Sequence, residues 1–334
     1  MKRILYIGNN LTTSNPTTLV QLSALLREAN FEVVVYSNKQ NKLLRLFDMC
    51  FGVFKHRNVD YMLIDTYSTT NFYFALILSQ LARILSIKYI PILHGGNLPI
   101  RLFKSPKFSR LIFNNSYINV TPSNYLFYEF KQKGFKTTYI PNAIDLNNYK
   151  FKERFKIQPK LLWVRAFDKI YNPFMAIDVL TILKVKYPHA SLCMVGPDKD
   201  GSFRDVQQKA INNGVLNLVE FTGILPKKAW LQKSEILDIF INTTTIDNIP
   251  VSVIEAMALG LPVVSTNVGG LPYLITDKLN GILVENKNAV DMADAIEKLL
   301  SNFDEVKRVT INARKMVSEF DIALVKQQWI NILK

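Results

Sequence analysis

Cysteine, acidic residues in the first half and long apolar runs are all scarce in this sequence, and each shortage argues against a class of protein. Only two of the 334 residues are cysteine, Cys50 and Cys193, far apart and outside any CxxC pair. That argues against a disulfide framework and a cysteine-rich zinc site, and a reducing compartment fits. His56 and His189 lie near them, one apiece, too few for a metal set. The greasiest stretch, 72–87, is interrupted by Ser79, Gln80 and Arg83, too short and too polar to span a bilayer. Met1–Gly8 carries one basic pair and then reads as a strand rather than a signal peptide. No GxGxxG follows that strand, only the single Gly8, which argues against an NAD or FAD site. A soluble, cytoplasmic chain is the expectation.

What is present is an ordinary folding composition, 49% hydrophobic and 20% charged, at a length that suggests two domains. Short β-branched runs alternate with helical patterns throughout. In the first half the expected strands are 3–7, 32–36, 61–65, 88–93, 117–120 and 137–140. In the second they are 161–164, 191–195, 218–221, 237–241, 262–265 and 281–284. Strands alternating with helices imply parallel sheets covered on both faces. The expected fold class is α/β, two doubly wound Rossmann-like domains facing across a cleft. Residues 1–150 form the first domain and 151–310 the second. The polar, basic stretch 147–160 links them, and a helical tail, 311–334, crosses back to the first. Ligands of such sheets bind at the C-terminal ends of strands, so the loops there are the place to look.

Charge is the clearest imbalance. The net charge is +14, and residues 1–150, with 18 Lys/Arg against 7 Asp/Glu, carry +11 of it. A basic half implies an anionic partner: nucleic acid, a membrane surface or a phosphorylated substrate. Within it, Leu43, Leu44, Phe47, Phe51 and Phe54 fall on one helical face flanked by Lys42, Arg45, Lys55 and Arg57. This is either an ordinary helix covering the sheet, the preferred reading, or an interfacial helix on an anionic membrane. Arg101, Lys104, Lys107 and Arg110 form a second basic cluster.

The most informative segment runs from Asp247 to Val264, DNIPVSVIEAMALGLPVV. A strand and a Thr-rich loop lead to Asp247, and a helix then begins near Pro250 and stops at Gly260. One carboxylate stands in the loop and a second, Glu255, just over one turn inside the helix. Between them, the free amides near Val251 and Ser252 and the helix dipole make an anion site. A phosphate between two hydroxyl-binding acids suits a nucleotide sugar. A loop acid beside a solvated helix acid is the blander possibility.

This segment resembles the signature of retaining glycosyltransferases of the GT-B fold, family 4: two acids separated by seven residues, then EAMAxGxPVV and a Gly-Gly turn, here Gly269-Gly270-Leu271-Pro272. The resemblance implies that Glu255 holds the ribose hydroxyls, that Asp247 contacts the transferred sugar, and that the Val251 and Ser252 amides bind phosphate. Asp247 stands where the family usually has Glu, and Tyr273 where a Glu commonly follows the turn. Arg165, after the first strand of the second domain, matches the family's diphosphate-binding Arg, with the planar fork such a role needs. Lys169 falls one place early for its companion Lys. Gly223 ends a strand whose following loop passes the base, and His94 follows its strand as a His near the reacting sugar does. Gly8 permits close backbone approach to a ligand. Asp198-Lys199-Asp200 has the DxD form of a metal site but is read as a turn, and no metal is expected.

The resemblance therefore implies transfer of a sugar from a nucleotide-diphosphate sugar, a UDP-sugar ahead of a GDP-sugar, with no further cofactor. The acceptor would be a glycan or lipid-linked molecule, in cell-surface polysaccharide synthesis. His94, Arg165 and Asp247 would be the catalytic residues. Because the diphosphate falls to the second half, the basic first half is assigned to the acceptor side, an anionic inner membrane face or a lipid-diphosphate-linked glycan. A sugar-nucleotide epimerase of the same fold is the nearest alternative, and a non-catalytic membrane scaffold a further one. No nucleic-acid motif or array of stacking aromatics is present, and no nucleic-acid partner is expected.

Overall fold

The computed structural model describes residues 1–10, 17–154 and 156–334; Phe155, inside the expected linker, lies outside them. The chain forms two compact units, one of residues 1–144 with 320–334, the other of 145–319. The division falls earlier than the expected boundary at 150. The reason is local: Tyr149 is buried, and Arg154, 3% exposed, donates to the carbonyls of Gly260 and Ser234 at 2.9 and 2.8 Å. Residues read as a linker are thus fastened into the second unit.

In the first unit the strands are β1 (Arg3–Ile7), β2 (Glu32–Tyr36), β3 (Tyr61–Thr66), β4 (Lys88–Leu93), β5 (Asn119–Thr121) and β6 (Thr137–Tyr139). They form one parallel sheet in the order β2-β1-β3-β4-β5-β6. Its helices are α1 (Thr18–Glu28), α2 (Lys42–Lys55), α3 (Thr70–Ile84), α4 (Leu98–Lys104), α5 (Pro106–Phe113) and α6 (Asn124–Gln132). Several begin where a polar side chain satisfies the first free amides: Asn41 accepts from Leu43 and Leu44, and Ser123 from Leu126. The strand order reverses between β1 and β3, so the loops after those strands border the switch point.

The second unit has β7 (Lys160–Val164), β8 (Ser191–Val195), β9 (Val219–Gly223), β10 (Ile239–Asn242), β11 (Val263–Thr266) and β12 (Ile282–Val284), parallel in the order β12-β11-β10-β7-β8-β9. Around them lie α7 (Pro173–Lys186), α8 (Phe203–Asn212), α9 (Lys227–Ile236), α10 (Val251–Ala258), α11 (Leu271–Leu274), α12 (Ala289–Ser301) and α13 (Phe303–Val317). The order reverses between β7 and β10. All twelve strands lie within two residues of where the alternation of apolar runs puts them, and both sheets are doubly wound.

The last helix, α14 (Ile322–Leu333), belongs to the first unit. Its buried face, Val325, Trp329 and Leu333, joins Leu22, Leu25 and Ile92 in the core between α1 and the sheet. The chain leaves and re-enters that unit at one point: Ile144 donates to the Phe320 carbonyl and Ile322 to the Ile144 carbonyl, both at 2.9 Å. The Lys2 ammonium caps the C-terminal end of α14 at the Leu333 carbonyl, 3.0 Å away, where the helix dipole favours a cation.

One expectation is corrected here. The α2 stripe Leu43, Leu44, Phe47, Phe51 and Phe54 does not cover the sheet; all five side chains are exposed. The face against the sheet is Met49, Gly52 and Val53. Arg45 fixes the rotation, its guanidinium turned inward to the carbonyls of Lys39 and Gln40 and to Asn9 Oδ1 at 2.7, 2.9 and 2.8 Å. It is therefore no part of the basic flank. Among the described residues no helix is long and apolar enough to cross a membrane.

Because Trp329 is 3% exposed within the first-unit core, Trp329→Ala should destabilise that unit by about 3–5 kcal/mol. A urea titration followed by fluorescence and circular dichroism reads this as a lowered midpoint. An unchanged midpoint would mean that α14 adds nothing to the core.

Candidate functional site

In the second unit the loops after β7 and β10 are stitched together. Trp163 Nε1 donates to the Thr243 hydroxyl at 2.9 Å, and that hydroxyl donates to the Tyr171 carbonyl at 2.8 Å. Thr244 and Thr245 bond the Ile170 carbonyl at 3.2 and 2.9 Å. The Thr-rich run thus ties the β7 loop to the β10 loop. On that platform the Arg165 guanidinium pairs with Asp247 Oδ2 and lies over the Tyr171 ring, 4.7 Å from its centroid. The Arg165 Nε is buried without a partner among the described residues. Asp247 Oδ1 accepts from the Asn248 amide at 2.8 Å.

Gly269 and Gly270 are required by this corner. A Cβ on Gly269 would stand 2.1 Å from the Asp247 carbonyl oxygen, and one on Gly270 1.6 Å from that of Asn248. The Gly270 amide donates to the Asp247 carbonyl at 3.0 Å. The turn is therefore the seat on which Asp247 rests, and its contact is with the protein's own backbone.

Pro250 caps α10, whose amides at Val251 and Ser252 precede the first bond of the helical ladder. The Ser252 hydroxyl is buried and has no partner among the described residues. Glu255, one turn on, is buried rather than solvated: Tyr149 Oη donates to its Oε1 at 2.8 Å, and the Lys227 ammonium contacts the same oxygen. Burial pulls the Lys227 ammonium down to about 8, so it still carries its charge at neutral pH. Burial also holds the Tyr149 proton in place. Both donors meet the same carboxylate oxygen, Oε1.

The remaining expected residues of this unit stand farther out. Lys169 is exposed in a short 3-10 turn, its backbone amide donating to Asp200 at 2.9 Å and its carbonyl accepting from the Asn172 amide at 3.2 Å. Lys199, not Lys169, lies near the Tyr171 ring, 5.8 Å from its centroid, and pairs with Asp168 at 2.7 Å. Gly223 ends β9, its carbonyl accepting from the Gly196 amide at 2.9 Å. Asp198 and Asp200 accept from the amides of Gly201 and Ser202 at 2.9 and 3.0 Å, so the DxD triplet shapes a turn.

In the first unit, His94 follows β4 and its Nε2 lies 2.9 Å from Asp65 Oδ1. Tyr6 Oη donates to the same oxygen at 2.9 Å, and the Tyr67 ring stacks on the imidazole with centroids 5.2 Å apart. Burial, reinforced by Asp65, raises Tyr6 and Tyr67, so both keep their protons. A carboxylate at that distance accepts, so in the neutral ring Nε2 holds the hydrogen and Nδ1 is the acceptor. Gly8 does make a close approach, but to Asp65: a Cβ there would meet Asp65 Oδ2 at 2.3 Å. Asp65, Tyr6, Lys227 and Tyr149 are the participants that sequence reading misses. An acid ending the apolar run YMLID was the one signal, for Asp65.

The family described as Glycosyl transferases group 1 matches residues 146–316, about half of the chain. Over 205 residues the chain is 26% identical to an uncharacterized glycosyltransferase of Haemophilus influenzae, covering 60% of this chain and 57% of that one. It is 28% identical over 201 residues to the amylovoran biosynthesis glycosyltransferase AmsK of Erwinia amylovora, covering 54% and 49%. The chain thus spans about half the length of the curated relatives it matches. The fold is similar to that of HepE from Anabaena, solved with UDP and glucose, with TM-score 0.78, 19% identity, and coverage of 100% and 99%. Two Rossmann-like domains over the whole chain make this the GT-B fold.

Gly270 has φ −83°, which suits alanine, so Gly270→Ala tests collision alone. The added methyl should displace the Asp247–Asn248 corner at a cost of about 1–3 kcal/mol, measured as a lower denaturation midpoint. An undisturbed midpoint would show that the corner yields freely.

Proposed function

The chain belongs to the Glycosyl transferases group 1 family, and on that premise we propose that it moves a sugar from a nucleotide-diphosphate sugar to a glycan or lipid-linked acceptor, with retention at the sugar carbon, as in family 4. The observation that supports this most is the Arg165 group. A guanidinium fixed by Asp247 and Tyr171 at the switch point of the sheet, with free helix amides a few residues beyond Asp247, suits a diphosphate. Glu255, held from behind by Tyr149 and Lys227, would offer its second oxygen to the ribose diol.

On this reading Arg165 and the amides at Val251 and Ser252 stabilise charge on the leaving diphosphate, and no metal is required of the chain. The bond between the sugar carbon and the diphosphate oxygen breaks. The acceptor oxygen bonds to that carbon from the same face, and its proton passes to the leaving phosphate. Asp247 would position the transferred sugar. His94, oriented by Asp65, is the candidate group of the first unit. HepE was solved with UDP and glucose, which favours a UDP-sugar over a GDP-sugar as donor. AmsK serves amylovoran biosynthesis, which favours a role in polysaccharide synthesis. The enzyme would work in the cytoplasm, at the inner face of the membrane.

A thermal-shift screen with UDP-, GDP- and ADP-sugars should find stabilisation, greatest with a UDP-sugar. In a nucleotide-release assay with the stabilising donor, Arg165→Ala should lower kcat by about 10²–10³-fold. Glu255→Gln should raise the donor KM, since it weakens a hydroxyl contact made before and during reaction. No response to any nucleotide sugar would overturn the proposal. So would conversion of the donor into a second nucleotide sugar with no acceptor present, the behaviour of an epimerase.

A further inference from the structure

Helix α2 has two apolar faces, and the fold uses one. Met49, Gly52 and Val53, with Leu46 and Cys50 beside them, pack toward β1 and β2. The other face presents Leu43, Leu44, Phe47, Phe51 and Phe54, all more than half exposed, Phe47 at 73%. Their spacing of three and four residues makes one continuous stripe along the 14-residue helix. Singly exposed apolar side chains are ordinary, whereas a contiguous stripe of five large ones marks an interaction surface. Asn41 caps this helix and Arg45 anchors it, so the exposed stripe is held in place by the fold.

Further large apolar side chains are exposed on the neighbouring helices. That helix packs beside α3, and α3 beside α5. Tyr73, Ile77 and Ile84 are exposed on α3, and Phe108 and Leu111 on α5. Tyr73 and Phe108 meet edge to face at 6.5 Å, joining the two helices.

The charge that accompanies this surface is predominantly positive, with Asp48 the one acid on α2. Lys42, Lys55 and Arg57 flank the α2 stripe and are exposed. Between Asp65 and Glu129 the sequence contains no acidic residue and six basic ones: Arg83, Lys88, Arg101, Lys104, Lys107 and Arg110. A second copy of the chain seated on this face would bring like charges together. An anionic bilayer answers both features, its acyl region taking the aromatic stripe and its phosphates the cations.

We propose that this face of the first unit docks on an anionic lipid bilayer. α2 lies in the plane of the interface with Phe47 and Phe51 among the acyl chains, and Lys42, Lys55 and Arg57 lie at the lipid phosphates. The surface stands independently of the transferase reading, because its test needs no donor and no turnover.

The test is flotation of the full-length chain with vesicles of phosphatidylcholine alone and of phosphatidylcholine mixed with phosphatidylglycerol. Binding should be confined largely to the mixed vesicles and should weaken as salt is raised. Phe47→Ser with Phe51→Ser should lower the partition coefficient by about tenfold or more per phenylalanine. The thermal midpoint should stay unchanged, since neither side chain is in the core. Lys42→Glu with Lys55→Glu should abolish the preference for the mixed vesicles. Absence of binding at low salt, equal binding to both vesicles, or full binding by the phenylalanine double variant would each overturn the proposal. Sedimentation showing a dimer that the double variant dissolves would assign the stripe to a second copy and overturn it as well.

Discussion

The contact between the Arg165 guanidinium and the Asp247 carboxylate ties together the two loops at the switch point of the second sheet, and the surrounding structure serves to hold it. The two side chains are only 15% and 17% exposed. An ion pair so far from water is retained at a desolvation cost that only good geometry and further bonds offset. The further bonds are present: the Asn248 amide on Asp247, the Tyr171 ring under Arg165, and three threonine hydroxyls clamping the loop beneath. A ligand phosphate arriving here would meet a guanidinium already oriented and largely dehydrated. The ordering would have been done by folding and not by binding.

The first unit shows a similar device built around a single carboxylate. Asp65 receives the Tyr6 hydroxyl and lies against His94, while Tyr67 stacks on the imidazole. Two tyrosines that burial keeps protonated leave the carboxylate as the acceptor of the cluster, and the histidine ring cannot turn without losing Asp65. Gly8 is small because Asp65 occupies the space a side chain would need. A glycine after a first strand is commonly read as room for a ligand. Here its neighbour is an acid of the same unit.

The fold was legible in the sequence because alternation is a local signal. Each strand is a short apolar run, each helix a longer periodic one, and parallel sheets follow from their order. The second unit's motif residues were legible for a related reason, since 247–270 is one continuous segment whose loop, helix start and turn are adjacent in the chain. What escaped was created by distance in sequence. Lys227 reads as one of two surface lysines until Glu255, 28 residues away, is placed beside it. Tyr149 reads as linker until its hydroxyl finds the same carboxylate across 106 residues. The error at α2 has another cause: a helix apolar on both sides gives a periodicity that cannot say which face is inside. The hydrogen bonds of Arg45 to residues 9, 39 and 40 decide that, and they exist only in the folded chain.

That correction also explains where the charge belongs. A diphosphate can be held by backbone amides, which carry no net charge, and by a single guanidinium, so the second unit needs little excess of cations for the role proposed here. In the first unit residues 1–144 hold 17 Lys/Arg against 6 Asp/Glu, +11, and its helices α2 and α5 leave Lys42, Lys55, Lys107 and Arg110 in water. Exposed charges of one sign add little to folding and repel one another. Neither they nor five large apolar side chains on one helix face improve the stability of an isolated unit. The two features coincide on α2, and an anionic, partly apolar surface is the environment in which both become favourable.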